Sequence, residues 1–273
     1  MSQIQAANRT FFERVNDLRC RDWTCRLTRY VRARIRRWFA GGLFLMDDPR
    51  VVQAWRRRWD GAHYIRLQRW RDEGFRPQVV YDIGAYEGLW SEMCQSIFSP
   101  SEIFLFEPQR ACQVRASARR PLGASWRILP VGLGDRSERR PIFLTKNTAA
   151  SSMLAPIEGE MSRYWGTRAT VQEEVQIVPL DDLAASDSLP HPDLVKIDAQ
   201  GYEGHVLAGG KKTLAHAQRI VIEVSLKAIY DGQVLLPEIL QAFSGLGFEV
   251  EDINETLRQW PGPLWQVDLW LKR

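Results

Sequence analysis

Val79-Val80-Tyr81-Asp82-Ile83-Gly84-Ala85-Tyr86-Glu87-Gly88 is a short apolar run that ends in a carboxylate and a glycine turn. Nineteen residues beyond Gly88 stands Glu107, directly after a second apolar run, Ile103-Phe104-Leu105-Phe106. Strand, glycine turn, helix, strand, acidic residue is the order a doubly wound α/β fold uses to hold a nucleoside at the carboxyl ends of parallel strands. Gly84 lets the chain turn tightly after the first strand. Ala85 and Gly88 keep side chains small where a ligand would approach. Asp82, at the strand end, would organise the turn and meet an ammonium group, directly or through water. Glu107 offers two oxygens, which suits the vicinal diol of a ribose. The turn reads D-x-G-A-x-x-G rather than G-x-G-x-x-G, which favours S-adenosylmethionine over a dinucleotide.

Outward from this stretch, residues 77–273 alternate strand-like and helix-like segments. Helices are expected near 88–98, 110–120, 202–215 and 235–245. Strands are expected at 79–83, 103–106, 126–131, 194–197 and 219–224, and Phe248–Val250 and Gln266–Leu271 would close the sheet. Pro141–Thr145 and Val175–Val178 read as additional strands around a polar segment. Buried parallel strands are nearly continuous apolar runs, and 79–83 and 220–224 fit that description. The expected fold is α/β, a mostly parallel seven-stranded sheet with helices on both faces.

A second informative segment is Leu194-Val195-Lys196-Ile197-Asp198-Ala199-Gln200-Gly201-Tyr202-Glu203. It puts Asp198 at a strand end and Glu203 at the start of a helix. Glu223 lies in the next strand, within Val221-Ile222-Glu223-Val224. Neighbouring central strands open into one crevice, so Asp198, Glu203 and Glu223 are candidates to converge there. Glu203 has an alternative role as a charge complementing its helix N-terminus. Lys196 and His205 are read as surface or satisfied core residues.

Residues 1–76 differ in composition. They carry a net charge of +10, against −6 for the remainder, within a total of +4. The main domain is thus mildly acidic, which argues against a nucleic-acid groove there. Pro77 marks the boundary, giving a basic, Trp/Arg-rich helical extension over 1–76 and the catalytic domain over 77–273. Within residues 26–39, Leu27, Val31, Ile35, Trp38 and Phe39 follow helical spacing among six arginines. That pattern suits peripheral contact with an anionic membrane, or else a helix packed on the main domain with its arginines solvated. A further helix is expected over Arg50–Asp72, burying Val51, Val52, Trp55, Trp59, Ile65 and Trp70. No signal peptide or membrane-spanning run is visible, and Cys20, Cys25, Cys94 and Cys112 have no metal-site spacing. A cytoplasmic protein with reduced thiols is expected, with attachment at the inner membrane face as the variant.

Several stretches together resemble the FkbM family of S-adenosylmethionine-dependent methyltransferases. They are Asp82-Ile83-Gly84-Ala85-x-x-Gly88, Phe106-Glu107-Pro108, Val131-Gly132-Leu133-Gly134-Asp135, Leu180-Asp181-Asp182-Leu183, Lys196 to Glu203, and Ile222-Glu223-Val224. The resemblance covers about residues 77–273. It implies a class I methyltransferase (Rossmann-like) fold and methyl transfer to an oxygen of a sugar or natural-product hydroxyl. By that analogy Asp82, Gly84, Ala85 and Gly88 hold the methionine part, Glu107 with Pro108 the ribose, and Gly132 and Leu133 the adenine. Tyr86-Glu87 is bulkier and more acidic than the small polar pair often found in that turn.

A sugar hydroxyl is a poor acid and needs a positioned base or a metal. Asp198 and Glu223 are candidate ligands for Mg2+, and Asp198 or Glu203 is alternatively the base. Lys146–Met153, with Tyr164-Trp165 beyond, is the candidate acceptor loop. The acceptor is expected to be a small molecule or glycan. Two other readings are a lipid-linked glycan reached at the membrane, and a non-catalytic interaction module retaining the fold.

Overall fold

The computed structural model describes residues 49–145, 148–159, 169–258 and 262–273. The expectations for residues 26–39, for Cys20 and Cys25, for Lys146-Asn147 and for Tyr164-Trp165 lie outside the described residues. The strands are β1 (Val79–Ile83), β2 (Glu102–Phe106), β3 (Trp126–Leu129), β4 (Gly132–Leu133), β5 (Glu138–Thr145), β6 (Ala169–Val178), β7 (Leu194–Ile197), β8 (Arg219–Ser225), β9 (Glu249–Arg258) and β10 (Leu264–Lys272). The helices are α1 (Pro49–Arg56), α2 (Gly61–Asp72), α3 (Leu89–Phe98), α4 (Arg110–Arg119), α5 (Leu180–Ser186), α6 (Glu203–Leu214) and α7 (Leu236–Gly245).

Seven strands form one sheet in the order β3-β2-β1-β7-β8-β10-β9. β10 runs antiparallel to both β8 and β9, and the other pairings are parallel. The order reverses direction between β1 and β7, so the carboxyl ends of these two strands flank the crevice where such sheets bind ligands.

Side-chain alternation along the strands builds two cores. Tyr81, Ile83, Val195, Ile197, Ile220 and Ile222 face one side, where α6 and α7 supply Val206, Leu214, Ile239 and Phe243. Val80, Ile103, Leu105, Leu194 and Val221 face the other, against α2 and α3. On that second face Asp82 lies directly beside Lys196 in the β1–β7 register, and Glu223 beside Asp268 in the β8–β10 register. Period-two alternation therefore puts these four polar side chains on one face, although they come from four strands.

A second, three-stranded sheet (β4-β6-β5) arises between β3 and β7. The run expected as one strand over 126–131 ends at Leu129, and the chain resumes as β4 in this other sheet. β6 and β9 extend well beyond the stretches expected for them.

The single helix expected over Arg50–Asp72 is instead two. Arg58 adopts a left-handed φ of 63°. Asp60 then caps α2, accepting the Ala62 and His63 N–H groups at 2.8 and 3.0 Å. That cap fixes the break. Trp59 and Trp70 are buried as expected and Ile65 partly so, whereas Val52 and Trp55 turn outward, Trp55 with 66% of its surface exposed. The side chain of Val51 is outside the described residues. Trp70 packs edge-on against Trp270 at 5.0 Å, and the Arg219 guanidinium lies over the Trp70 ring, 4.7 Å from its centre. Each such aromatic pair adds about 1 kcal/mol beyond the area it buries.

Candidate functional site

The turn after β1 is held by its own backbone. Gly84 has φ +72°, and a Cβ there would sit 1.9 Å from the Asp198 carbonyl oxygen. Torsion and clearance both require glycine, because the ends of β1 and β7 touch at this point. Gly88 has φ +74°, and its missing Cβ makes room for the Trp126 ring and Ala116. Gly88 therefore serves the packing of α3 against α4 and β3, and it does not line the cavity that Gly84 and Ala85 line.

Glu107 holds the turn from β2. Its Oε2 accepts the Tyr86 N–H and its Oε1 the Gln109 N–H, both at 2.8 Å. Burial pushes this carboxyl up to about 7, against the pull of those two hydrogen bonds. Each oxygen keeps a lone pair for a further donor.

Charge gathers where β1 meets β7. Asp82 is fully buried, and the Ser91 hydroxyl donates to its Oδ2 at 2.6 Å. Its Oδ1 has no hydrogen-bond donor within range and lies 3.5 Å from Lys196 Nζ. Burial raises the Asp82 pKa, only partly countered by Lys196 and Ser91. Lys196 Nζ donates to the Gly84 carbonyl at 3.1 Å and lies 3.3 Å from Asp198 Oδ2. Burial opposes its charge, but Asp198 and Asp82 outweigh burial and raise its pKa. Lys196 is thus a site residue, on the cavity wall, and not the bland core or surface lysine expected from sequence.

The Gln200 amide nitrogen bridges two carboxylates, at 2.6 Å from Asp198 Oδ1 and 3.2 Å from Glu223 Oε2. Gln266 donates to the same Glu223 oxygen at 3.1 Å. Burial and the neighbouring Asp198 and Asp268 charges push the Glu223 carboxyl well above the ordinary carboxylate range. Glu203 turns back onto the chain, its Oε1 accepting the Ala199 and Gly201 N–H groups at 2.9 and 3.0 Å. Burial pushes it up to about 7.

One cavity collects Gly84, Ala85, Glu107, Pro108, Gly132 and Leu133 with Asp198 and Lys196. Asp82 stands behind its wall, and Glu203 and Glu223 do not reach it. Tyr86 and Thr148 join hydroxyls at 2.5 Å across its rim, so the first turn of the candidate acceptor loop borders the cavity. Lys196, Gln200 and Tyr86 were missed as site residues. Only the ladder register and through-space contacts reveal them.

The donor set fits S-adenosylmethionine. The Glu107 oxygens have spare lone pairs on the cavity wall, and the carboxyls of Glu107, Asp198 and, behind the wall, Asp82 outnumber the one lysine, which suits a cationic ligand. The set does not fit Mg2+ between Asp198 and Glu223. The Lys196 ammonium and the Gln200 amide already engage Asp198, and the Gln200 and Gln266 amides share one oxygen of Glu223, so a metal between the two would have to displace these donors. No cluster of three metal-ligating side chains occurs among the described residues.

The sheet order with its inverted β10, together with this cavity, defines a class I methyltransferase. The sequence signature of the methyltransferase FkbM domain matches residues 82–250, and the chain belongs to that family as an S-adenosylmethionine-dependent methyltransferase. It is 28% identical over 168 residues to the 2-O-methyltransferase NoeI of Sinorhizobium fredii, spanning 59% of this chain and 69% of that protein. It is 22% identical over 206 residues to the hexuronic acid methyltransferase AglP of Haloferax volcanii, spanning 76% and 80%. Among solved structures, magnesium protoporphyrin IX methyltransferase from Synechocystis is similar with a TM-score of 0.46 and 13% identity, over 88% of this chain and 90% of that one.

Proposed function

We propose that this enzyme transfers a methyl group to a hydroxyl oxygen of a saccharide or glycosylated natural product, with Asp198 as the base. The observation that carries this is the position of Asp198. Of the three candidate catalytic carboxylates it alone lines the cavity, at the end of β7 beside the Gly84 turn. The printed names of the two relatives, one a 2-O-methyltransferase and one acting on hexuronic acid, support a sugar hydroxyl.

S-adenosylmethionine supplies a methyl on a sulfonium, already activated for in-line displacement. The protein's work is alignment and proton removal. Glu107 would hold the donor's ribose, and Asp82, behind the wall, would anchor Ser91 and Lys196 beside its methionine part. Asp198 accepts the acceptor's O–H and takes its proton as the new C–O bond forms and the S–CH3 bond breaks. Lys196 and Gln200 keep the Asp198 carboxylate aimed until then. Glu203 organises the Ala199–Gly201 backbone beneath it. Incubation with methyl-labelled S-adenosylmethionine and a panel of saccharides, phenols and amines tests this. Label on saccharide oxygen is expected, and label on nitrogen or on phenols alone would refute it.

A second reading places the acceptor on a lipid-linked glycan, with the enzyme at the cytoplasmic membrane face. The exposed Val52 and Trp55 on α1, followed by exposed Arg56, Arg57 and Arg58, favour it. No helix among the described residues is long and apolar enough to cross a membrane. Salt-sensitive pelleting with anionic vesicles is the expected result, and no pelleting at low salt would dismiss this reading.

A further inference from the structure

Trp90, in the first turn of α3, is one of the residues that line the methyltransferase cavity. Its indole N–H donates to His63 Nδ1 at 3.1 Å, and His63 Nε2 lies 2.7 Å from Asp268 Oδ2. Asp268 also accepts from the Asn254 amide at 2.9 Å, and Asn254 Oδ1 accepts the Trp270 N–H at 2.7 Å. His63 packs edge-on against Trp270 at 4.9 Å. His63, Trp90, Asp268 and Trp270 are all buried.

An indole N–H can only donate, so it fixes the tautomer of His63: Nδ1 bare, Nε2 carrying its proton toward Asp268. The charged groups around the ring are Asp268 from β10, Asp60 from the α2 cap and Lys196 from β7. Burial opposes a second proton on the ring, while Asp268 favours it strongly enough to raise the pKa above its ordinary value. A ring so protonated would turn an N–H toward the Trp90 N–H, so the arrangement observed is that of the neutral imidazole.

Only Trp90 among these residues belongs to the family-matched segment 82–250; His63 precedes it, and Asn254, Asp268 and Trp270 follow it. The Trp90 side of the cavity is therefore fastened by residues that lie outside the matched segment. The place of that wall is also defined. Ser91, the next residue, bonds Asp82, and Lys196 of the same cavity faces His63. Trp90 thus stands beside the Asp82–Lys196 pair.

We infer that His63 is a positioning residue for the cofactor: through its Nδ1 it fixes the Trp90 indole as the wall against which the methionine part of the donor is held. The inference rests on the cofactor assignment above and is independent of the acceptor. Two substitutions separate its two hydrogen bonds. In His63→Asn the amide oxygen can stand where Nδ1 stands and accept from Trp90, while Asp268 loses its donor. In His63→Gln the amide nitrogen can stand where Nε2 stands and serve Asp268, while Trp90 loses its acceptor.

The experiment is calorimetric titration of the full chain with S-adenosylhomocysteine at alkaline pH, with melting curves for each variant. His63→Gln is expected to weaken binding about five- to tenfold, as the loss of one hydrogen bond implies, and His63→Asn to stay near wild type. Trp90→Phe should match His63→Gln, and the pair combined should be no weaker than either alone. It carries the test by itself if the histidine variants do not fold. Equal binding by folded wild type, His63→Gln and Trp90→Phe would overturn the inference. So would a larger loss in His63→Asn than in His63→Gln, which would assign the effect to Asp268. Absence of binding by folded wild type would overturn the cofactor assignment beneath it.

Discussion

The Glu107 carboxylate accepts the Tyr86 backbone N–H at 2.8 Å, tying the end of β2 to the turn after β1. The residue suited by its chemistry to a ribose diol is also the clamp that shapes the loop beneath the cofactor. Glu107→Ala therefore leaves the part-buried Tyr86 and Gln109 N–H groups without their acceptors. It should cost about 2–4 kcal/mol of stability and weaken S-adenosylhomocysteine binding at least tenfold. Glu107→Gln keeps one acceptor and should fall between alanine and wild type. Urea unfolding and calorimetry read the two effects separately.

Gly84→Ala should be more severe. The φ of +72° is strained for alanine, and the new Cβ would overlap the Asp198 carbonyl. Separating β1 from β7 at that point should cost about 3 kcal/mol or more and abolish cofactor binding. A variant that melts and binds like wild type would show that the two strand ends do not meet as described.

Glu107 and Glu203 should make the protein without cofactor less stable as pH rises. Burial lifts both carboxyls from 4.5 to about 7, so the folded state holds protons that the unfolded chain has released. Their contribution is fully present below about pH 4.5 and is lost as pH rises through about 7. Urea midpoints should fall between about pH 5 and pH 8. Glu203→Gln, which keeps the Oε1 acceptor for Ala199 and Gly201, should flatten that slope.

Lys196→Met should lower turnover by about a hundredfold or more, because it strips the cation from between Asp82 and Asp198. Added Mg2+ should not restore it, and chelator should leave wild-type turnover unchanged. Strict dependence on a divalent cation in the wild type would contradict the reading of Asp198 and Glu223 as occupied by Lys196 and Gln200.

The central sheet was legible because its strands are buried on both faces and so read as apolar runs such as Val221-Ile222. β9 was legible only at its start, as Phe248–Val250, because Glu249–Arg258 is a polar edge strand, and solvent-facing edges carry charge instead of an apolar signal. β6 was seen only in its last four residues, since its charged positions mask the alternation. The turn and Glu107 were legible as local motifs. Lys196, Gln200 and the His63–Trp90 pair were not, because each acts through a partner distant in sequence. Mg2+ was suggested by two carboxylates at adjacent strand ends, a pattern that says nothing about the donors between them.

Asp198→Asn tests the central claim most directly, in a single-turnover assay with labelled donor, an accepted saccharide and parallel S-adenosylhomocysteine titration. The account predicts unchanged binding and methyl transfer reduced at least a hundredfold, since a positioned base contributes roughly that much. Methyl transfer by Asp198→Asn at the wild-type rate, from an equally saturated cofactor, would contradict it.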